Sequence, residues 1–141
     1  MSLISGIDVT SEALTLQRLR MDVIAGNIAN AHTTRDASGQ PYQRKEVSFE
    51  SYVRPGERAG STNNTPQGVR LRAVEPDATP GPVVHNPGHP DADENGMVRM
   101  PNVNTAKEMV DLINTTRAYE ANLAVFKNSR QMALKALSIG R

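Results

Sequence analysis

Cysteine and tryptophan are absent from the 141 residues, and aromatic side chains make up only 4%. The missing cysteine excludes disulfides, thiolate metal sites and a cysteine nucleophile, and is compatible with either redox compartment. The scarcity of rings leaves little bulk for a large self-contained core. An excess of charge of one sign is missing too: sixteen Lys and Arg against fifteen Asp and Glu give a net charge of +1. That balance excludes the electrostatic footprint of a dedicated nucleic-acid binder or of a polybasic membrane anchor. No run approaches eighteen consecutive apolar residues, so no spanning helix is expected. The stretch from Met1 to Glu12 has no basic residue and carries Asp8, the wrong pattern for a cleaved secretory leader.

Proline is missing from residues 1–40 and 102–141; all nine lie between Pro41 and Pro101, with seven of the ten glycines between Gly39 and Gly96. Proline costs about 3 kcal/mol inside a helix, so the chain reads as helix, β-rich or irregular middle, helix. In the first part, Ile7, Leu14, Met21 and Ile28 recur at a spacing of seven, one slowly drifting stripe. Val9, Leu16 and Val23 form a second stripe about 200° around the same helix. One partner cannot cover both faces. In the last part a three–four register runs through Met109, Leu112, Thr116, Tyr119, Leu123, Phe126, Arg130, Ala133 and Leu137. Thr105 and Glu108 have capping-box spacing at its start, and Gly140 is the expected stop.

Pattern alone permits a two-helix antiparallel hairpin with a β insertion, or the same pair embedded among copies in an assembly. Burying one stripe is far too small a gain to offset the backbone entropy of ordering a helix of this length. The second stripe, Val9, Leu16 and Val23, is therefore expected to face other subunits.

In the middle, Val69, Leu71 and Ala73 alternate with Arg70 and Arg72, a half-buried strand pattern. Tyr42 to Val53, Val83-Val84 and Met97 to Met100 are further strand candidates, and Glu57 to Gln67 reads as a polar loop. His85, His89, Asp91, Asp93 and Glu94 have the ligand types for a divalent ion, and a metal-dependent hydrolase using His85, His89 and Asp91 is the competing function. Pro87, Gly88 and Pro90 forbid the helix that would align the two imidazoles, and the spacing after Gly96 fails the calcium-loop pattern. No phosphate-cradling glycine motif and no serine in a strand–turn–helix context exists. Arg54, Arg58, Arg70 and Arg72 are interleaved with Glu46, Glu50, Glu57 and Glu75, a mixed-charge surface rather than a nucleic-acid site.

One motif stands outside the helical period. Asn27 and Asn30 end the first helix, although Asn is a poor mid-helix residue whose amide competes for backbone groups. Either this is an ordinary helix exit, or the amides bond across to neighbouring helices and fix their register.

Asn27-Ile-Ala-Asn30, followed by Thr33-Thr34-Arg35 and Gly39-Gln-Pro41-Tyr42, closely resembles the N-terminal signature of bacterial flagellar rod and hook axial proteins. Pro87-Gly88-His89-Pro90-Asp91-Ala92-Asp93, Pro101-Asn102-Val103-Asn104, Glu108-Met109-Val110-Asp111-Leu112-Ile113 and Arg117-Ala118-Tyr119-Glu120-Ala121-Asn122 resemble a proximal-rod member of that family. The likeness covers essentially the whole chain. It departs at Gly26, where another Asn is common, and modestly at His32 and Met97.

The resemblance implies an α+β subunit: an N-terminal helix over 1–32, a small antiparallel β-rich middle over 33–102 and a C-terminal helix over 103–141, the two helices pairing as a coiled coil. It implies a structural role in the proximal rod of the flagellar basal body, in a helical tube that transmits torque, with no catalysis and no cofactor. Implied partners are other flagellar rod proteins, copies of the chain itself, the flagellar type III export apparatus and the membrane ring base, with no nucleic acid or small-molecule substrate. The implied location is the rod crossing the periplasm, reached without a cleaved signal peptide. The expected interface comprises Ile7, Val9, Leu14, Leu16, Met21, Val23, Asn27, Ile28 and Asn30 on the first helix, with Met109, Leu112, Tyr119, Leu123 and Phe126 on the last. Ile7, Leu14, Met21 and Ile28 are expected to meet Tyr119, Leu123 and Phe126 of the same or an adjacent chain.

Overall fold

A computed structural model describes residues 3–52 and 68–139. The expected polar loop Glu57–Gln67, the arginines Arg54 and Arg58, and the expected stop at Gly140 lie outside these residues. The elements are α1 (Leu3–Ala29), β1 (Lys45–Tyr52), β2 (Gly68–Pro76), β3 (Val83–His85), β4 (Met97–Arg99) and α2 (Thr105–Ile139). The chain is α+β, with both long helices in the proline-free ends. None of the described helices is long and apolar enough to cross a membrane.

β1 pairs with β2, and β3 with β4. Asp77 N–H donates to the Arg44 carbonyl, and Arg70 Nε donates to Glu50, so residue numbers fall on one strand as they rise on the other. That order is antiparallel. In the second pair Val83, Val84 and His85 stand opposite Arg99, Val98 and Met97. The chain between them turns at Gly96, whose φ of 72° is open to glycine and strained for other residues. Gly81 meets the exit of β4 so closely that a Cβ there would lie 1.9 Å from the Met100 carbonyl oxygen.

The chain divides into two compact units, each of which takes a length of both helices. The first comprises Met1–Met21, Ser48–Ala73 and Asn114–Arg141. Here Glu12 on α1 accepts from the Tyr52 hydroxyl at 2.9 Å and from the Val69 amide at 3.4 Å, which ties the helix to β1 and β2. On the α2 side, Thr116 Oγ1 lies 3.7 Å from Met21 Sδ. The second unit comprises Asp22–Val47 and Val74–Ile113 and encloses Ile24, Asn27, Ala31, Val98 and Glu108.

Within a single chain Val9 and Val23 are half-buried and Leu16 is only 9% exposed, so the chain itself already covers much of this stripe. The physical reason is that α1 is held on two sides by its own chain, by β1 and β2 through Glu12 and by α2 through Met21. Ile7, Leu14, Met21 and Ile28 are half-buried as well. The exposed stripe of α1 is polar or small: Asp8, Ser11, Thr15, Arg18, Asp22, Ala25 and Ala29.

α2 is different. Its covered seam runs through Glu108, Leu112, Thr115, Tyr119, Asn122, Phe126, Ser129 and Ala133, alternating steps of four and three. Leu112, Tyr119, Phe126 and Ala133 belong to the predicted register, whereas Met109 and Leu137 are 53% and 72% exposed and lie off the seam. Val110, Ile113, Val125, Met132 and Leu134 are also more than half exposed. Among the residues of the two helices whose burial is described, the large apolar side chains left exposed by the chain are on α2.

Candidate functional site

In the second unit the end of α1 carries Asn27 on the same inward face as Ile24 and Ala31. At 1% exposure its amide must find partners in protein, because an unmatched buried amide costs about 1–3 kcal/mol. It finds four. Asn27 Nδ2 donates to the Lys45 carbonyl at 2.9 Å and to Glu108 Oε2 at 3.0 Å. Asn27 Oδ1 accepts from the Lys45 amide at 2.9 Å and from the Tyr42 hydroxyl at 3.0 Å. The pair of bonds to Lys45 copies what a neighbouring strand would offer, so the side chain acts as the strand partner at the start of β1.

Glu108 is fully buried and joins this junction from the first turn of α2. Its other oxygen, Oε1, accepts from Arg44 Nε at 2.7 Å, and the Arg44 side chain is 15% exposed. The Glu108 carboxylate and its attraction raise the Arg44 pKa further above its ordinary value, against the opposing effect of burial. Two carboxylate oxygens thus meet one guanidinium and one amide, the satisfaction that a buried charge demands.

This placement corrects the predicted capping box. The cap of α2 is Asn104, whose Oδ1 accepts from the Lys107 amide at 3.1 Å and whose carbonyl accepts from Glu108 N–H at 2.9 Å. Glu108 cannot fold back onto Thr105, because its carboxylate is committed to Arg44 and Asn27. Asn102 supplies a second amide pin: its Oδ1 accepts from Arg44 N–H at 2.7 Å, and its Nδ2 donates to the carbonyls of Asp77 and Thr79.

The two asparagines of the helix exit part company. Asn27 bonds across to the other long helix, of the same chain. Asn30 is the ordinary exit: its amide donates to the Gly26 carbonyl at 2.8 Å and its Oδ1 accepts from Thr33. Sequence reasoning singled out Asn27 but missed Arg44 and Asn102 as its companions. The readable signal was an asparagine, a poor mid-helix residue, in the last turns of α1; Arg44 carries no comparable mark in a mixed-charge stretch.

The proposed metal ligands are dispersed into structural duties. Asp91 accepts from Thr34 Oγ1 and pairs with Arg35 Nη2, both at 2.7 Å, fastening its loop to the exit of α1. His89 Nδ1 accepts from the Asp91 amide at 3.1 Å. Asp93 Oδ1 closes the turn before β4 by accepting from the Asn95 and Met97 amides. His85 stands exposed on β3. Among the described residues no group of three His, Asp or Glu could hold a metal ion.

Tyr42 reports on the junction. Burial, with the Glu108 carboxylate nearby, raises its pKa above the ordinary 10.0. The fold holds the neutral phenol, so this bond's stabilisation is complete below pH 10.0 and fades as pH climbs through the raised value. An ultraviolet titration of the parent minus that of Tyr42→Phe is expected to show one phenolate forming above pH 10.0. A difference midpoint at or below that value contradicts the burial of this hydroxyl.

Comparison with known proteins follows the same geography. A family model described as "Flagella basal body rod protein" matches residues 7–35, which hold α1 and its exit. Another, "Flagellar basal body rod FlgEFG protein C-terminal", matches residues 94–139, which hold β4 and α2. The "Flagellar basal-body rod protein FlgC" of Borreliella burgdorferi is 43% identical over 149 residues, covering 99% of this chain and 98% of its own. Its namesakes in Bacillus subtilis and Salmonella typhimurium are 39% and 38% identical, each over the full length of both chains. Identity at this level from end to end, with Asn27 in one matched region and Glu108 in the other, leaves one conclusion: the chain belongs to the FlgC family of flagellar basal-body rod proteins and is a structural subunit, not an enzyme.

Proposed function

We propose that this subunit builds the proximal rod, its segments 1–32 and 103–141 forming a coiled-coil core of a helical tube and its segment 33–102 an outer β-rich element. The tube transmits torque across the periplasm from a membrane ring base. The chain reaches it through the flagellar type III export apparatus. The alternation of fours and threes along the α2 seam supports coiled-coil pairing.

The observation that carries the proposal is the uncovered apolar face of α2. Met109, Val110 and Ile113 are each more than half exposed within one helical turn, and Val125, Met132, Leu134 and Leu137 continue the exposure. A lone soluble subunit gains nothing from such a surface, whereas a subunit laid against neighbours buries it. The predicted contacts therefore divide: Leu112, Tyr119, Leu123 and Phe126 serve pairing with α1, and Met109 serves neighbours. A photo-crosslinking amino acid placed at Met109 is expected to join the subunit to rod proteins or to another copy in isolated basal bodies. Assembled rods in which that position captures nothing overturn the proposal.

A further inference from the structure

We propose that the consecutive residues Arg44 and Lys45 are a gauge that sets the register of the two long helices. Each grips one of them. The Lys45 backbone holds Asn27 of α1 through two bonds of 2.9 Å, and the Arg44 side chain holds Glu108 of α2 at 2.7 Å. Asn27 and Glu108 then close the loop with their own bond of 3.0 Å. The inference concerns the single chain and does not depend on the rod.

A gauge is needed because the apolar pattern repeats. Ile7, Leu14, Met21 and Ile28 recur every seven residues, and the covered seam of α2 alternates steps of four and three. Asn27–Glu108 in the second unit and Met21–Thr116 in the first are the contacts between the helices that a slip would change. Sliding one helix past the other by seven residues, roughly 10 Å, matches apolar to apolar again. The same degeneracy lets α1 of one copy pair with α2 of another. Hydrophobic burial is not directional and separates these arrangements poorly.

The junction separates them well. A slip of seven residues parts Asn27 from Glu108 by about two helical turns. Asn27 cannot follow, since its amide is committed to Lys45 and Tyr42, and Glu108 cannot follow without leaving Arg44. Every slipped register therefore leaves a buried carboxylate and a buried amide short of partners, the device by which one polar core position fixes register in coiled coils.

The test uses the natural absence of cysteine. Paired cysteines at Met21 and Thr116, neighbours in the structure, report the native register with a short thiol cross-linker. Cysteines at Leu14 and Thr116 report a slip of seven. In the parent only the first pair is expected to link within one chain. In the apolar variant Asn27→Leu/Arg44→Met/Glu108→Met, helical circular dichroism is expected to persist while the slipped link and cross-chain dimers rise at least about tenfold, the ratio that one lost buried hydrogen bond commands. Glu108→Gln keeps the shape and one of the two acceptor oxygens, enough to hold one of the bonds to Arg44 and Asn27, and is expected to keep the native link. A triple variant that links in the native register only, or that loses its helical signal, overturns the proposal; so does a slipped register in Glu108→Gln.

Discussion

Arg44→Met is expected to lower the stability of the isolated protein by about 3–5 kcal/mol, the usual cost of removing one partner from a buried ion pair. Glu108 is fully buried, and its Oε1 accepts from Arg44 Nε at 2.7 Å. Methionine fills the space of the aliphatic stem and leaves the backbone bonds of Arg44 to Asn102 and Asp77 in place. The loss therefore isolates the guanidinium. Against a total stability of roughly 5–15 kcal/mol for a small domain, it is a large fraction. Urea unfolding followed by circular dichroism is the measurement, with the midpoint falling and the slope unchanged. Arg44→Met combined with Glu108→Met is expected to recover most of the loss, because the stranded charge is gone. A single variant within about 0.5 kcal/mol of the parent contradicts the burial of Glu108.

The double variant separates two roles that one network can fill. A buried ion pair is weak testimony for stability, since well-packed apolar residues often serve equally well. Its distinctive contribution is to penalise wrong arrangements. In this chain the penalty falls where the apolar repeat is most permissive.

The ends of the chain were the legible part. Proline's confinement between Pro41 and Pro101 placed both helices, and the alternation at Val69 to Ala73 and the runs at Val83 and Met97 located strands. Asn27 stood out because asparagine is a poor mid-helix residue whose amide competes for backbone groups. What remained hidden depends on contacts distant in sequence. Glu108 looked like a capping residue because three-residue spacing is a local signal, whereas its partner Arg44 lies 64 residues away. Leu16 looked like an outward contact because the helical wheel shows how many faces are apolar and not which of them the same chain covers. A charge at Leu16 would break the subunit's own packing and would say nothing about its neighbours.

That distinction directs the assembly experiment to α2. Val110 and Ile113 are 57% and 54% exposed, so Val110→Glu/Ile113→Glu removes little packing from the isolated chain, and glutamate is a good helix former. Stability is expected to stay within about 0.5 kcal/mol of the parent. On the proposed docking the same positions are pressed against apolar neighbours in the rod, where two carboxylates left without partners cost several kcal/mol at every interface. A cost of about 3 kcal/mol already lowers an association constant more than 100-fold. Cells carrying the double variant are expected to produce folded subunit, to lack it in purified basal bodies, and to be non-motile in soft agar. The control is Asp22→Glu on the exposed polar stripe of α1, where motility is expected to be normal. Normal incorporation of the α2 variant contradicts the α2 face as the docking surface, and lost incorporation with Asp22→Glu shifts that surface to α1.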